Sequence, residues 1–326
     1  MPPHLESRLS RKLRVALLCG GPSAEREISL KSGATVAQVL AELGHAVRVI
    51  DPALVDLSAF DWGPFDVAFI ALHGKLGEDG QIQQILEDAR LPYTGSGVAA
   101  SRLAFSKSAA KERFAQHDVP TAPYILIHES DTAHRIQQQA GQIGYPLVVK
   151  PDTQGSSLGV SLVASLSDLP AALARCFQYD AFGLLERAII GSEWTVGMID
   201  NRPLPPIRIE TDRAFFDYEA KYEDNGTHYE FEFDVPAEHV ERIVQAARNA
   251  CSALETSGLA RVDLILDQSG RPQVLEVNTI PGLTDHSLVP KAAARCGMTL
   301  AELFQECLHS ALRQTTRTTG RRAAHG

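Results

Sequence analysis

Ala260-Arg261-Val262-Asp263-Leu264-Ile265-Leu266-Asp267, followed after Gln268-Ser269-Gly270-Arg271 by Gln273-Val274-Leu275-Glu276-Val277-Asn278, is the stretch whose reading decides the fold. Both halves alternate like strands and a polar turn joins them. With Ser269-Gly270 as the two central turn residues, Gln268 faces Arg271, and counting back along the ladder sets Asp263 opposite Glu276 and Arg261 opposite Asn278. Period two gathers these four polar groups on one face and sends Val262, Leu264, Leu275 and Val277 into the core. Two carboxylates, an amide and a guanidinium make a hard-oxygen site of the kind Mg²⁺ takes when it is shared with phosphates. The competing reading is a solvated face with an Arg–Asp pair of little consequence. Against it stands the run Asn278-Thr279-Ile280-Pro281-Gly282-Leu283-Thr284-Asp285-His286-Ser287, which leaves directly from the carboxylate strand. Loops on rigid strands are where substrates are held.

The rest of the chain is compatible with such a site. At 326 residues, two or three domains are expected. With 44% hydrophobic and 22% charged residues the composition is that of a globular protein, neither disordered nor fibrous. A formal net charge of -9 argues against nucleic acid or anionic lipid as the main partner, while leaving room for a local basic site for one phosphorylated ligand. No apolar run approaches the ~20 residues that span a bilayer, and no cleavage pattern follows the first apolar run, so a cytoplasmic location is expected. Cys19, Cys176, Cys251, Cys296 and Cys307 are odd in number and form no C-x-x-C pair, which indicates neither a disulfide framework nor a zinc site.

Leu13–Cys19 reads as a strand broken by Gly20-Gly21-Pro22-Ser23, and Ala24–Leu43 as a helix ended by Gly44. Strands at Ala46–Ile50 and Asp66–Ala71 and a helix at Gln81–Ala89 give a parallel βαβ-type layout for roughly the first hundred residues. A second segment opens with a helix over Ser106–His117, a strand Tyr124–Ile127 and a helix Asp131–Ile143. It then places strands Pro146–Lys150 and Gly159–Ala164 around a Gly/Ser loop, residues 151–158. Further strands (Trp194–Ile199, Leu204–Ile209), a helix Ala237–Thr256, the hairpin and two closing helices complete the chain. Residues 1–12 and 315–326 read as frayed ends. The loop matches G-x-S-x-G at Gly155–Gly159, but a nucleophile elbow needs a helix after it, and here a strand follows. A flexible lid whose backbone N–H groups close over phosphate suits it better, with Lys150 just before it. Gly20-Gly21 lacks the full G-x-G-x-x-G, which disfavours a nicotinamide dehydrogenase.

Taken together, these segments resemble the D-alanine–D-alanine ligases of the ATP-grasp superfamily from about Leu13 to Leu312. The matching stretches are Gly20–Glu27, Ala71–Gly74 with Gly77–Gly80, Pro92–Gly97, Lys150-Pro151 with Gly155–Ser157, Asp217–Tyr222, Arg261–Asp263, and Glu276–Asn278 through Pro281-Gly282 to His286–Leu288. The resemblance implies an α/β, three-domain ATP-grasp fold with an N-terminal parallel-sheet (pre-ATP-grasp) domain. Its boundaries would be 13–105 for the N-terminal substrate domain, 106–192 for the central subdomain with the lid, and 193–314 for the C-terminal subdomain with the metal and catalytic residues. It implies ATP-dependent joining of two D-alanines through an acyl phosphate, for peptidoglycan precursor synthesis.

The same resemblance implies roles residue by residue. Glu25 would bind the first substrate's ammonium, linked to Ser156 on the lid and Tyr222 on a second loop, with His73 nearby in a secondary role. Lys107 and Lys150 would hold ATP phosphates, and Lys221 the transferred phosphoryl group. Glu186, Arg187 and Glu193 would meet the adenine and ribose. Asp263, Glu276 and Asn278 would ligate two Mg²⁺, Mn²⁺ being an acceptable substitute. Arg261 and the Gly282 N–H would stabilise the oxyanion, and Ser287 and Leu288 would take the second D-alanine's carboxylate.

Three positions depart from the family pattern. Ser106 stands where an acidic residue is usual, Phe216 where an aromatic hydroxyl often sits, and Arg187 in place of a lysine beside the adenine. Tyr222 implies an amine rather than D-lactate as second substrate. The alternatives are another ATP-grasp carboxylate–amine ligase, a D-alanine–D-lactate ligase, and a catalytically silent nucleotide-binding regulator. The partners implied are D-alanine, ATP and a second copy of the chain in a homodimer, with neither nucleic acid nor membrane.

Overall fold

The computed structural model describes residues 11–210 and 228–323. Strands β1 (Arg14–Leu18), β2 (Ala46–Ile50) and β3 (Val67–Ile70) form a parallel sheet in the order β2-β1-β3, the layout expected from the sequence. Only Arg14 of β1 is exposed, because a central parallel strand is covered on both faces. The crossover is helix α1 (Arg26–Glu42), which buries Ile28, Val36 and Leu40 against it. It closes at Gly44, whose φ of 81° is left-handed. Helix α2 (Gln81–Asp88) and an unanticipated helix, α3 (Val98–Phe105), complete this part.

A four-stranded antiparallel sheet follows, of β4 (Tyr124–His128), β5 (Leu147–Pro151), β6 (Ser161–Val163) and β7 (Phe182–Arg187) in the order β4-β7-β5-β6. Helices α5 (Ala133–Ile143) and α6 (Leu169–Cys176) back it, and α4 (Lys107–Gln116) precedes it. The pairing Leu147↔Val163 to Val149↔Ser161 frames residues 152–160 as the loop between β5 and β6, a Gly/Ser loop between two strands as the sequence indicates. Neither α6 nor β7 was anticipated. The third sheet is antiparallel, with β8 (Gly191–Ile199), β10 (Ile207–Glu210), β11 (His228–Glu230), β12 (Leu259–Asp267) and β13 (Pro272–Asn278) in the order β11-β10-β8-β12-β13, and β9 (Arg202–Pro203) beside β8. Helices α7 (Ala237–Ala253), α8 (Leu288–Arg295) and α9 (Leu300–Ala323) flank it.

The cores do not follow the sequence boundaries. Val15, Leu17 and Phe69 of the parallel sheet pack with Ile207, Val289, Phe304 and Leu308 in one continuous core, Phe69 and Phe304 meeting edge to face at 5.7 Å. Helix α4, grouped by sequence with the central segment, instead buries Ala110 and Phe114 in a core with Trp194, Val262 and Val277. Only Ile127, Ile136, Val149, Leu185 and their neighbours form a core private to the four-stranded sheet.

Both ends also differ from expectation. Arg11 pairs with Asp66 at 2.7 Å and the Lys12 ammonium donates to the Leu43 carbonyl, so these two residues are tied down rather than frayed. The backbone of α9 stays helical through the Thr/Arg-rich stretch to Ala323, in spite of four threonines and Gly320, residues of low helix propensity. Cys19, Cys176, Cys251 and Cys307 are buried, Cys296 is exposed, and all five are free thiols.

Candidate active site

The hairpin places Arg261 opposite Asn278 and Asp263 opposite Glu276, as the ladder count required. The route to that register differs. The turn takes three residues, because the Asp267 carboxylate accepts from the Ser269 and Arg271 N–H groups at 2.8 and 3.0 Å. Asp267, not Gln268, therefore faces Arg271, and Gly270 adopts φ 75°. A bulge between Asp263 and Leu264 restores the count, pairing Leu264 with Val274 and leaving Leu275 as the extra residue. Val274 is fully buried in the place expected for Leu275, and Leu275 turns to a cavity wall instead.

That cavity, of about 390 Å³, lies between the four-stranded sheet and β12–β13. Its apolar walls are Val148, Val160 and Leu162 on one side and Ile265 and Leu275 on the other, a slot for a flat ring. Lys107, Lys150, Glu186, Arg187, Glu193, Asp263 and Glu276 also line it, bringing together all the expected nucleotide residues that are described. Glu186 lies between two lysines, Lys150 at 2.8 Å and Lys111 at 2.7 Å. Burial alone would raise its carboxyl, but Lys150 and Lys111 outweigh burial and hold it below its ordinary value. Lys111 is fully buried, and desolvation lowers its ammonium to about 8 in spite of Glu186. Of the two lysines only Lys150 lines the cavity, where with Lys107 it can meet a phosphate chain. The Arg187 side chain turns away to the Ile143 carbonyl at 3.3 Å, and its N–H is taken by the Pro123 carbonyl.

A second, smaller pocket adjoins the first and shares Lys107, Gln154 and Glu276 with it. It is lined by Glu25, Glu78, Ser156, Arg261 and Asn278. Glu25 stands at the N-cap position of α1 without a side-chain cap bond, and the Ser156 hydroxyl donates to its carboxylate, so the β5–β6 loop reaches across the pocket to α1. A Cβ on Gly155 would sit 2.9 Å from the same carboxylate, which explains a glycine there. Ser156 and Ser157 hold φ of 51° and 56°, left-handed values that are uncommon for serine and add local strain to the lid. Lys107 donates to the Gln154 carbonyl of the lid and stands 3.5 Å from Glu276.

Arg261 grips Asp263 through two bonds of 2.9 and 2.7 Å, and Thr195 donates to Asp263 at 2.7 Å. The Asn278 side-chain oxygen accepts from the Ile280 N–H at 2.9 Å. A Cβ on Gly282 would meet the Ser287 hydroxyl at 2.7 Å, and Ser287 stands at the N-cap position of helix α8, which begins at Leu288, its hydroxyl accepting from the Thr284 N–H. Among the described residues no three His, Cys, Asp or Glu groups gather to hold a metal by themselves. Asp263, Glu276 and Asn278 supply oxygen donors beside the lysine-lined cavity, a set that fits Mg²⁺ completing its shell with phosphate oxygens. Lys221, Tyr222 and Phe216 lie outside the described residues.

Burial pushes the Glu78 carboxyl up to about 7, with the Glu25 charge adding to it and His73 and Arg261 opposing. The sequence reading gave Glu78 no role and missed Lys111 and the apolar walls. A lysine within an amphipathic helix carries no sign of burial, and only the side-chain alternation around the bulge could have marked Leu275. The Ser106 departure has a compensation. Ser106 accepts from Ala109 N–H and donates to Asp152, which itself accepts from Ser108 N–H at 2.7 Å, so a carboxylate still stands at the start of α4. At Gly20-Gly21 the anion position is filled from within. Asp51 accepts from Gly21 N–H at 2.9 Å and pairs with Arg26 at 2.6 Å, which lowers it to about 2.

Residues 114–309 match the family model "D-ala D-ala ligase C-terminus", and residues 52–96 match "D-ala D-ala ligase N-terminus". The chain is 42% identical over 299 residues to a D-alanine–D-alanine ligase of Nitrosococcus oceani, covering 92% of this chain and 94% of that one. It is 41% identical over 308 residues to one from Pseudomonas putida, covering 94% of each. The crystal structure of the Bacillus anthracis ligase complexed with ATP superposes with a TM-score of 0.83 at 30% identity, over 94% of this chain and 99% of that one. The VanG D-Ala:D-Ser ligase of Enterococcus faecalis gives a TM-score of 0.81 at 25% identity, over 92% and 100%. Likeness of this extent, carried through both family models, means that this chain belongs to the D-alanine–D-alanine ligase family.

Proposed function

We propose that this chain joins two D-alanines into D-alanyl-D-alanine, driven by ATP and Mg²⁺, for peptidoglycan precursor synthesis. The observation that carries this reading is the pair of adjoining pockets. A slot with apolar walls and a lysine-rich floor meets a carboxylate-lined pocket across Lys107 and Glu276, and the lid bond from Ser156 to Glu25 covers the junction. ATP would lie in the slot between the 106–192 and 193–314 segments, which we read as two of three domains, the third being 13–105.

Bound at Asp263, Glu276 and Asn278, Mg²⁺ would neutralise phosphate charge during transfer. Glu25 holds the first D-alanine's ammonium. The carboxylate oxygen of that first D-alanine attacks the γ-phosphorus and ADP leaves, with Lys107, Lys150 and Lys221 balancing the charge. The amine of the second D-alanine, having lost a proton, attacks the carbonyl carbon of the acyl phosphate. Arg261 and the Gly282 N–H stabilise the resulting oxyanion by roughly 3–4 kcal/mol per donor, and phosphate departs. Ser287 and the start of α8 receive the second carboxylate, where backbone N–H groups favour an anion. Glu186 and Glu193 contact the adenine and ribose, with Arg187 beside them. Ser156 and Tyr222 hold the two loops closed and keep water from the acyl phosphate. His73 acts at one remove from the substrate.

The relatives at 41–42% identity carry the D-alanine–D-alanine name, which disfavours the D-lactate alternative. Among the described residues no helix is long and apolar enough to cross a membrane, consistent with a cytoplasmic enzyme. Val49 on the edge strand β2 and Leu54 beyond it are 53% and 79% exposed, which supports pairing of two copies through the N-terminal segment. Mass spectrometry of products with ATP, Mg²⁺ and a panel of D- and L-amino acids and D-lactate tests the reading. D-alanyl-D-alanine with equimolar ADP and phosphate is expected, and a preference for any other pair overturns it.

A further inference from the structure

Two N-terminal side chains grip the loop that follows the metal strand on either side of one dipeptide. His73 Nδ1 lies 2.9 Å from the Ile280 carbonyl, and Ser32 Oγ accepts from the Leu283 N–H at 3.4 Å. Between them, His73 Nε2 and Ser32 Oγ are 3.1 Å apart. A carbonyl only accepts, so Nδ1 carries the proton. Glu78 Oε1, at 3.7 Å, is too far to take it. The Leu283 N–H occupies one Ser32 lone pair, which leaves the hydroxyl proton to donate to Nε2. The chain Leu283 N–H to Ser32, Ser32 to His73, and His73 to Ile280 O therefore forms a bracket with Pro281-Gly282 at its open end. Ser32 is fully buried and His73 nearly so, at 5% exposure, as are Ile280 and Leu283. Gly282 alone of the four loop residues from Ile280 to Leu283 is partly exposed.

We propose that Ser32 and His73 are positioning residues, which fix the Gly282 N–H in the orientation that meets the developing oxyanion. This rests on the ligase reading and deepens it. His73 then acts through the loop and not by touching the first D-alanine, and Ser32 acquires a role that no motif suggested. Proline 281 has no N–H, and Gly282 has no side chain to hold it, so the peptide between them depends on its neighbours for its angle. A misplacement of about 1 Å at such a donor is enough to cost on the order of 10²-fold in rate.

The test has two arms. In steady-state kinetics, Ser32→Ala should lower kcat by about 10- to 100-fold and leave KM for ATP and for D-alanine within about threefold, since only a transition-state contact is disturbed. His73→Asn, whose amide can still donate to Ile280 O, should lose less than His73→Ala. Ser32→Ala combined with His73→Ala should lose far less than the product of the single losses, because both act through one loop. Losses that multiply, or a rise in KM for D-alanine with kcat unchanged, overturn the proposal. The second arm needs no turnover. Amide exchange at Leu283 should quicken at least about tenfold in Ser32→Ala, and the Gly282 amide resonance should shift, while ADP affinity stays unchanged. Unaltered exchange and resonance overturn the proposal even if the parent chain proves inactive, a result that would by itself sink only the ligase reading.

Discussion

The four-stranded sheet and the parallel sheet both adjoin the large antiparallel sheet, but in opposite ways. One face of the parallel sheet shares its core with the large one, Phe69 against Phe304, with Val289 and Leu308 in the same cluster, while Leu18, Ile70 and Leu86 fill a second core on its other face. The four-stranded sheet keeps Ile127, Val149 and Leu185 in a core of its own. It reaches the remainder through polar contacts, chiefly Glu186 with Lys111, Asp152 with the start of α4, and Ser156 with Glu25. A polar seam with separate cores lets one body move against another, whereas a common core does not. The difference assigns the work. The shared core makes a common platform for Arg261, Asp263, Glu276 and the Gly282 loop, and the separate sheet carries the β5–β6 loop and one wall of the slot.

The sharpest way to break this comparison is to disable the platform without touching its core. Glu276→Gln should reduce ligase activity by at least about 10³-fold, because charge neutralisation is most of what phosphoryl transfer asks of the protein. Its unfolding midpoint should match the parent's, and a coincident fall in stability would mean that Glu276 serves the fold instead.

Next in size, Phe304→Ala should cost about 3–5 kcal/mol as a buried aromatic lost from the shared core. Denaturant unfolding followed by probes in the parallel and the large sheet should move together, and Leu185→Ala should move only a probe in the four-stranded sheet. Coincident shifts in all three regions for either variant would refute the separation.

Smaller again is the lid. Ser156→Ala should lower kcat about 10- to 100-fold and increase hydrolysis of ATP without dipeptide, since the bond to Glu25 is what keeps the lid shut. A variant with parental coupling of ADP to dipeptide would show the bond to be dispensable.

The smallest effect concerns pH. The folded Glu78 binds its proton up to about 7, above the ordinary value of 4.5 that the unfolded chain shows. The fold thus gains stability from this group below pH 4.5 and loses it as pH rises through 7. Glu78→Gln mimics the protonated form at all pH values, so its stability relative to the parent should rise between pH 5 and pH 8. The increment is about 2 kcal/mol, reduced from the full shift because the side chain keeps 12% exposure. Parallel stability–pH curves for the two proteins would remove Glu78 from this account.

Much of the hairpin's polar face was legible because a hairpin is local. Period two alone puts Arg261, Asp263, Glu276 and Asn278 together, and the register came out right although the turn gained a residue and the bulge then absorbed it. The loop of residues 152–160 was legible for a similar reason, as a glycine- and serine-rich connection between two strands that pair with each other. Leu275 was not, because a single bulge reverses which face a strand residue takes.

The sequence by itself determined the parallel N-terminal layout, the hairpin with its polar face and, through many separated motifs, the family. Tertiary structure alone decided which segments share a core, which lysine Glu186 divides its charge with, and what holds the Gly282 loop. Ser32 stands 251 residues from Leu283, and His73 stands 207 from Ile280. Hydrogen-bond partners so distant in the chain leave no local periodicity, because their meeting depends on how whole sheets pack.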